Sequence, residues 1–144
     1  MELTVKILKK PDDLSLCYKV RYEVFIDEQG FDEEIELDEF DDIAHHVLIC
    51  DGSSPIATAR VFYNNEYWKI GRVCVLQKYR GKKLGNLLLE NIEMHLQALN
   101  VDEVYLASQY HAKDFYFKFG YEQVGEVFLE EGCEHIKMVK KIGK

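Results

Sequence analysis

Two stretches of this sequence set chemically useful residue types at a useful spacing. The first is Val73-Cys74-Val75-Leu76-Gln77-Lys78-Tyr79-Arg80-Gly81-Lys82-Lys83-Leu84-Gly85-Asn86-Leu87-Leu88. An apolar run enters a short basic turn containing glycine, and the turn opens an apolar stripe at helical spacing. A helix N-terminus offers N–H groups without intrahelical partners and the positive end of the dipole. Glycine lets a ligand approach the backbone. Arg80, Lys82 and Lys83 add cations at the same point. Together these suit a phosphate or pyrophosphate. This is not a Walker loop, because Lys83 follows Gly81-Lys82 where Ser or Thr is needed and the upstream glycine is missing. Taken alone, the stretch reads equally well as a strand-to-helix turn with solvated lysines. The second stretch, Gln109 to Tyr121, sets His111 and Tyr116 among aromatic residues. Histidine titrates near neutrality, which suits a base. Tyr116 alone reads as an aromatic packing between Phe115 and Phe119.

The periodicity predicts the elements that carry these stretches. Leu3 to Lys9 alternates as a strand. Asp12 or Asp13 caps a helix running to about Ile26, with Leu14, Cys17, Arg21 and Val24/Phe25 at helical spacing. Ala44–Asp51, Ile56–Tyr63 and Tyr67–Leu76 read as strands joined by short turns, hence antiparallel neighbours. Leu84, Leu88, Ile92, Leu96 and Leu99 form the stripe of a long helix. Glu103–Ser108 is a buried strand. Ala112–Phe119 is a short helix stopped by Gly120. Val124–Phe128 and Ile136–Lys140 close the chain as strands. Strands outnumber helices, and the expected class is α/β: one domain, 1–144, with a mixed central sheet flanked by helices. Regular βαβ alternation and G-x-G-x-x-G are both missing, which excludes a Rossmann fold.

The two stretches together resemble the GNAT (Gcn5-related N-acetyltransferase) superfamily. That family's signature is a strand, then [Q/R]-x-x-G-x-[G/A] opening a long helix, then a strand and N-x-x-A-x-x-F-Y-x-x-x-G-F. Here the first motif reads Arg80-Gly81-Lys82-Lys83-Leu84-Gly85. The second reads Gln109-x-x-Ala112-x-x-Phe115-Tyr116-x-x-x-Gly120-Tyr121. Order, spacing and predicted elements agree. Arg21-x-x-Val24-Phe25-x-x-Glu28-Gln29-Gly30, Asp38 to His46 and Phe128 to Met138 are similar to the ElaA-like branch of predicted acyltransferases, so the likeness covers nearly the whole chain. Two positions depart from the pattern: Lys83 stands at a motif glycine and Gln109 at the motif asparagine.

The resemblance implies the GNAT acyl-CoA N-acyltransferase fold, an antiparallel meander plus a splayed parallel strand pair. It implies acetyl-CoA as donor and an amine, on a small molecule or a peptide, as acceptor. The pantetheine arm would pair with the backbone of Val73, Cys74 and Val75, where a bulge frees N–H groups for the thioester oxygen. The pyrophosphate would sit on Arg80, Gly81, Lys82, Lys83, Leu84, Gly85 and Asn86. Gln109 and Phe115 complete the cofactor-binding set. Tyr116 stands at the position of the acid that protonates the leaving thiolate. Five residues are candidates for the base: Glu28, Glu34, Glu36, His46 and His111, with Glu28 and His111 ranked first.

Charge and composition narrow the alternatives. The chain of 144 residues carries a net charge of −8. Ten carboxylates and no Lys or Arg lie between Asp27 and Asp42, which leaves the rest at eighteen Lys and Arg against sixteen Asp and Glu. That segment reads as a lure for a cationic acceptor or, no less well, as a solvated loop. A nucleic-acid partner is not expected from this balance. Apolar runs of four residues predict no membrane span, and the acidic, non-apolar N-terminus predicts no secretory signal. Cys17, Cys50, Cys74 and Cys133 lack metal-ligand spacing, so no metal is expected, and they read as reduced thiols of a cytoplasmic protein. A homodimer paired through Ile136–Lys140 is one option. A non-catalytic module that keeps the CoA pocket is the alternative to an enzyme.

Overall fold

The alternation at the N-terminus forms strand β1 (Leu3–Leu8), the first of seven. The structure is a computed structural model and describes residues 1–143; the side chains of Glu34 and Ile35 lie outside the described set. The strands form one sheet in the order β1-β2-β3-β4-β5-β7-β6. The new members are β2 (His45–Asp51), β3 (Ser54–Tyr63), β4 (Trp68–Val75), β5 (Glu103–Gln109), β6 (Glu122–Glu130) and β7 (Cys133–Lys141). β4 and β5 are parallel, registered at Lys69↔Tyr105 and Ile70↔Leu106. β1–β2, β2–β3, β5–β7 and β6–β7 are antiparallel. The mixed sheet expected from the sequence is therefore present. Its contacts divide into two compact units: Met1–Phe62 with Arg72–Ile92, and Tyr63–Gly71 with Glu93–Lys144.

In the first unit, helix α1 (Ser15–Arg21) begins where Asp13 accepts the Ser15 N–H at 2.9 Å. The predicted helix continues to Glu28, but Tyr22–Glu28 is wound as a π-helix, with the Gln29 N–H reaching Val24 O at 3.1 Å. Cys17 packs on Leu48 and Cys50, while Val20 and Val24 pack on Cys74. Each valine so buried contributes about 1.5–3 kcal/mol. β2 and β3 are buried almost throughout, the signature of strands covered on both faces. The acidic segment is not plain loop: it holds α2 (Glu33–Glu36) and a 3₁₀ turn, Glu39–Asp42, capped by Asp38. Helix α3 (Leu84–Ala98) begins in this unit.

In the second unit, β5 alternates, with Val104, Leu106 and Ser108 buried. The 3₁₀ turn Tyr110–Ala112 leads into α4 (Lys113–Lys118). Gly120, at φ +101, ends that helix. Glu93 on α3 accepts from Lys140 Nζ at 2.8 Å and from the Tyr121 hydroxyl at 3.0 Å, which fixes the chain past α4. All nine residues of β6 are exposed. Its pairing with β7 shifts between Val124 and Phe128, around Gly125 at φ +80. β5 and β6 occupy both edges of β7. Pairing of Ile136–Lys140 across a dimer is thereby excluded, because an inner strand has no free ladder groups.

Candidate active site

The basic turn is built in the first unit. β4 leaves extended geometry at Arg72, whose φ is +52, one residue before Val73. Cys74 faces inward onto Val20 and Val24, and burial pushes its thiol well above the usual range. Val73 and Val75 face the other way and are half-buried. A 3₁₀ turn, Gln77–Tyr79, follows, and the Tyr79 hydroxyl donates to Asp51 Oδ2 at 3.1 Å. Gly81 has φ +80 and Lys83 φ +62. Both lie in the left-handed region, which costs a non-glycine residue roughly 1–2 kcal/mol. The turn therefore keeps the glycine-type backbone of the motif although lysine occupies the position. Leu84, Gly85 and Asn86 begin α3 ahead of Leu87, whose N–H is bonded to Lys83 O at 3.2 Å.

Arg80 and Glu28 meet here. The guanidinium donates to both Glu28 oxygens, at 2.6 and 2.7 Å, and its Nε donates to Val75 O at 3.0 Å. The hydrogen bond from Arg80 holds the Glu28 carboxyl below its usual range. The pair is open to water, with side chains 41% and 34% exposed. Its geometry tests the fit of a phosphate: Arg80 already grips an oxyanion group in the forked arrangement that phosphate also accepts.

The other acids of the segment serve a different purpose. Arg21, 1% exposed, binds both oxygens of Glu36 and both oxygens of Asp41 at 2.6–3.1 Å. Arg60 grips Asp38 and also reaches Asp41 at 2.9 Å. Arg72 donates to Glu36 O and to Asp38. Burial raises the Asp41 carboxyl, but the hydrogen bonds and charges of Arg21 and Arg60 outweigh it and bring the group to about 2. His46 is sealed beside this network, with Nε2 3.2 Å from Asp41 O. Two base candidates, Glu36 and His46, are thus held in a buried structural network. Lys10 pairs with Asp42. Of the ten acids between Asp27 and Asp42, Glu28, Glu36, Asp38, Asp41 and Asp42 are matched by cations, so at least five of the supposed lure's charges are neutralised among the described residues. The fifth candidate, Glu34, lies outside the described side chains.

In the second unit, Gln109, His111, Phe115 and Tyr116 follow one another from the end of β5 into α4. Gln109 is half-buried and His111 exposed. Tyr116 is 8% exposed and packs edge-on against Phe115 at 5.0 Å and Tyr121 at 6.0 Å. Its ring packs against Phe115 as the sequence alone suggested, and its second described ring contact is with Tyr121 rather than Phe119.

A sequence profile of the acetyltransferase (GNAT) domain matches residues 13–142. This chain belongs to the GNAT acetyltransferase family. Among its relatives, the uncharacterized Bacillus subtilis N-acetyltransferase YjcF is 32% identical over 135 residues, covering 93% of this chain and 96% of YjcF. Escherichia coli ElaA is 31% identical over 129 residues, covering 86% and 84%. The crystal structure of E. coli ElaA superposes with a TM-score of 0.87 over 96% of this chain and 99% of that one, at 29% identity. An acyl-CoA N-acyltransferase from Pseudomonas aeruginosa gives 0.86 at 28% identity, over the same shares of the two chains. The GNAT chain is accordingly an acyl-CoA-dependent N-acyltransferase, on a fold whose members act on small-molecule or peptide amines. No helix among the described residues is long and apolar enough to cross a membrane.

Two groups escaped the sequence reading. Arg21 had been placed on an apolar helical stripe; its partners lie 15 and 20 residues away, a spacing with no periodic signature. His135 lies inside the ElaA-like stretch Phe128 to Met138, but its chemistry depends on a hairpin partner that only the register of β6 and β7 reveals.

Proposed function

We propose that the GNAT chain transfers the acetyl group of acetyl-CoA to a primary amine by direct attack, in the cytoplasm. The observation that carries this is the turn after β4: a left-handed Gly81 and Lys83, and an arginine fork already closed on an anion. In the first unit, Arg80 to Asn86 bind the pyrophosphate with backbone N–H groups and the guanidinium. The backbone at Val73–Val75, just past the left-handed Arg72, supplies N–H donors to the pantetheine arm and to the thioester oxygen, where charge grows during attack. In the second unit, Gln109 and Phe115 hold the arm, and Tyr116 donates its proton to the departing thiolate. Glu28 and His111 remain acid–base candidates; Glu28 acts only when Arg80 has released it. Four free cysteines suit a reducing compartment. With at least five acids of that segment neutralised, the site does not require a cationic acceptor.

The test is calorimetric titration with acetyl-CoA and CoA, followed by free-thiol release from acetyl-CoA against a panel of amines. Micromolar binding that falls about 10- to 100-fold in Arg80→Ala is expected, the loss of one charge-assisted contact. A folded protein that binds neither ligand overturns the proposal.

A further inference from the structure

The acyltransferase reading leaves open which group takes the proton from the acceptor amine, and the second unit holds a histidine built for that task. On β7, His135 faces the same side of the sheet as Lys137 and Val139, while Ile136 and Met138 are buried on the other side. His135 lies directly opposite Gln109, at the end of β5. Directly opposed residues of an antiparallel pair project to the same face. His135 is thus the cross-strand neighbour of the residue assigned to the pantetheine arm.

Three contacts define its chemistry. Nδ1 lies 2.9 Å from Cys133 O. A carbonyl oxygen only accepts, so Nδ1 carries the hydrogen of the neutral ring and Nε2 carries the lone pair. Nε2 faces Glu130 Oε2 at 3.8 Å, beyond hydrogen-bond range. Phe128 lies along the ring, at 6.0 Å between centroids and 30° between planes, which limits its rotation. The His135 side chain is 8% exposed and that of Glu130 44%, so one group is screened and the other wet. Among the described residues, the titratable groups two positions either way on the same face of β7 are Cys133 and Lys137, and the 3₁₀ turn that carries His111 packs against β7. Lys137 is turned onto the Tyr67 and Tyr105 rings, at 4.5 and 5.1 Å.

We infer that His135 is the base of the transfer reaction and that Glu130 is its outlet to water. The acceptor ammonium gives one proton to Nε2 and becomes the neutral amine. Its nitrogen forms the bond to the thioester carbon, the carbon–sulfur bond breaks, and the thiolate takes the Tyr116 proton. The imidazolium then passes its proton by way of Glu130 to solvent, and Tyr116 is reprotonated from water. His46 cannot take this role because it is enclosed beside Arg21 and Arg60, and His111 has no carboxylate among its described contacts.

This inference rests on the acyltransferase reading, and the experiment separates the two. Thiol release from acetyl-CoA is followed between pH 5 and 9, with spermidine as acceptor and with water alone, beside calorimetric CoA binding. The wild type is expected to lose rate on the acid side of its pH profile, where the base is protonated. His135→Gln is expected to lower kcat by about 100- to 10,000-fold and to erase that acidic limb, with CoA affinity kept within about twofold. Glu130→Gln should shift the limb to lower pH, because the imidazolium loses its counter-charge. A His135→Gln enzyme that keeps kcat and the limb, or that loses CoA binding in parallel with rate, overturns the inference. Histidine ring ¹⁵N spectra of the wild type test it without turnover: the Nδ1–H tautomer is required, and an Nε2–H tautomer refutes it. Absence of CoA binding in the wild type is instead the failure of the acyltransferase reading.

Discussion

Two of the first unit's arginine forks, those of Arg21 and Arg80, have nearly the same geometry and opposite settings. Arg21 holds Glu36 and Asp41 with all three side chains 1–4% exposed. Arg80 holds Glu28 with both side chains more than one-third exposed. The distances match, so distance does not separate them. Burial does. A buried pair that loses one member strands the other's charge in a medium that cannot solvate it, whereas water replaces either member of the exposed pair at little cost. One fork is therefore fixed and organises the segment from Glu33 to Asp42. The other can be exchanged, and exchange is what a phosphate-binding arginine requires.

Breaking the buried fork should give the largest effect. Arg21→Ala leaves Glu36 and Asp41 without their main partner and is expected to cost about 3–5 kcal/mol, read as a lowered chemical-denaturation midpoint. Acid should probe the same fork more gently. Asp41 sits at about 2 when folded, below the roughly 3.9 of an unfolded aspartate. Its contribution is therefore complete above the unfolded value and is lost as pH falls from about 4 toward 2. An Asp41→Asn protein should show a flatter stability curve across that window; an unchanged slope breaks the assignment.

The exposed fork should behave in the reverse manner. Arg80→Ala should change stability by less than about 1 kcal/mol, and on the proposed function it should weaken acetyl-CoA binding. Glu28→Gln removes the competing anion and should tighten CoA binding up to about fivefold, the equivalent of that same surface-pair energy. Weaker binding in Glu28→Gln would show that the carboxylate assists the ligand rather than competing with it. The smallest effect concerns the turn itself. Lys83→Gly relieves the left-handed strain but frees the unfolded chain, for a net gain of about 0.5–1 kcal/mol in thermal stability. The same variant's CoA titration then shows whether the Lys83 ammonium contributes contact.

Most of the fold was legible because it follows local rules. The α3 stripe, the three-strand meander and the Gly120 stop each lie within a short window of sequence. The basic turn was legible for the same reason, and Lys83 adopting glycine-type φ shows that the motif specifies a backbone path as much as residue identities. What escaped was non-local. Arg21 occupied a helix position that apolar periodicity would fill, and nothing nearby names Glu36 or Asp41 as its partners. β6 was expected to be shorter because the shift around Gly125 interrupts alternation. His135 was overlooked because a tautomer is set by a carbonyl two residues back and a carboxylate across a hairpin, and neither leaves a pattern in the linear sequence.

The bare outer strand β6 has a consequence for behaviour at high concentration. Val124, Val127, Phe128 and Leu129 are all exposed on it, and an edge of this kind is a template for further strands. Glu122, Glu126 and Glu130 recur every fourth residue along it, with Glu131 and Glu134 at and beyond the hairpin tip. Two copies meeting edge to edge bring carboxylates against carboxylates, so the strand carries gatekeepers against its own polymerisation. That protection lasts only while the strand keeps its charge: a protein carrying Glu122→Gln, Glu126→Gln and Glu130→Gln should grow fibrils or precipitate at concentrations where the wild type stays clear.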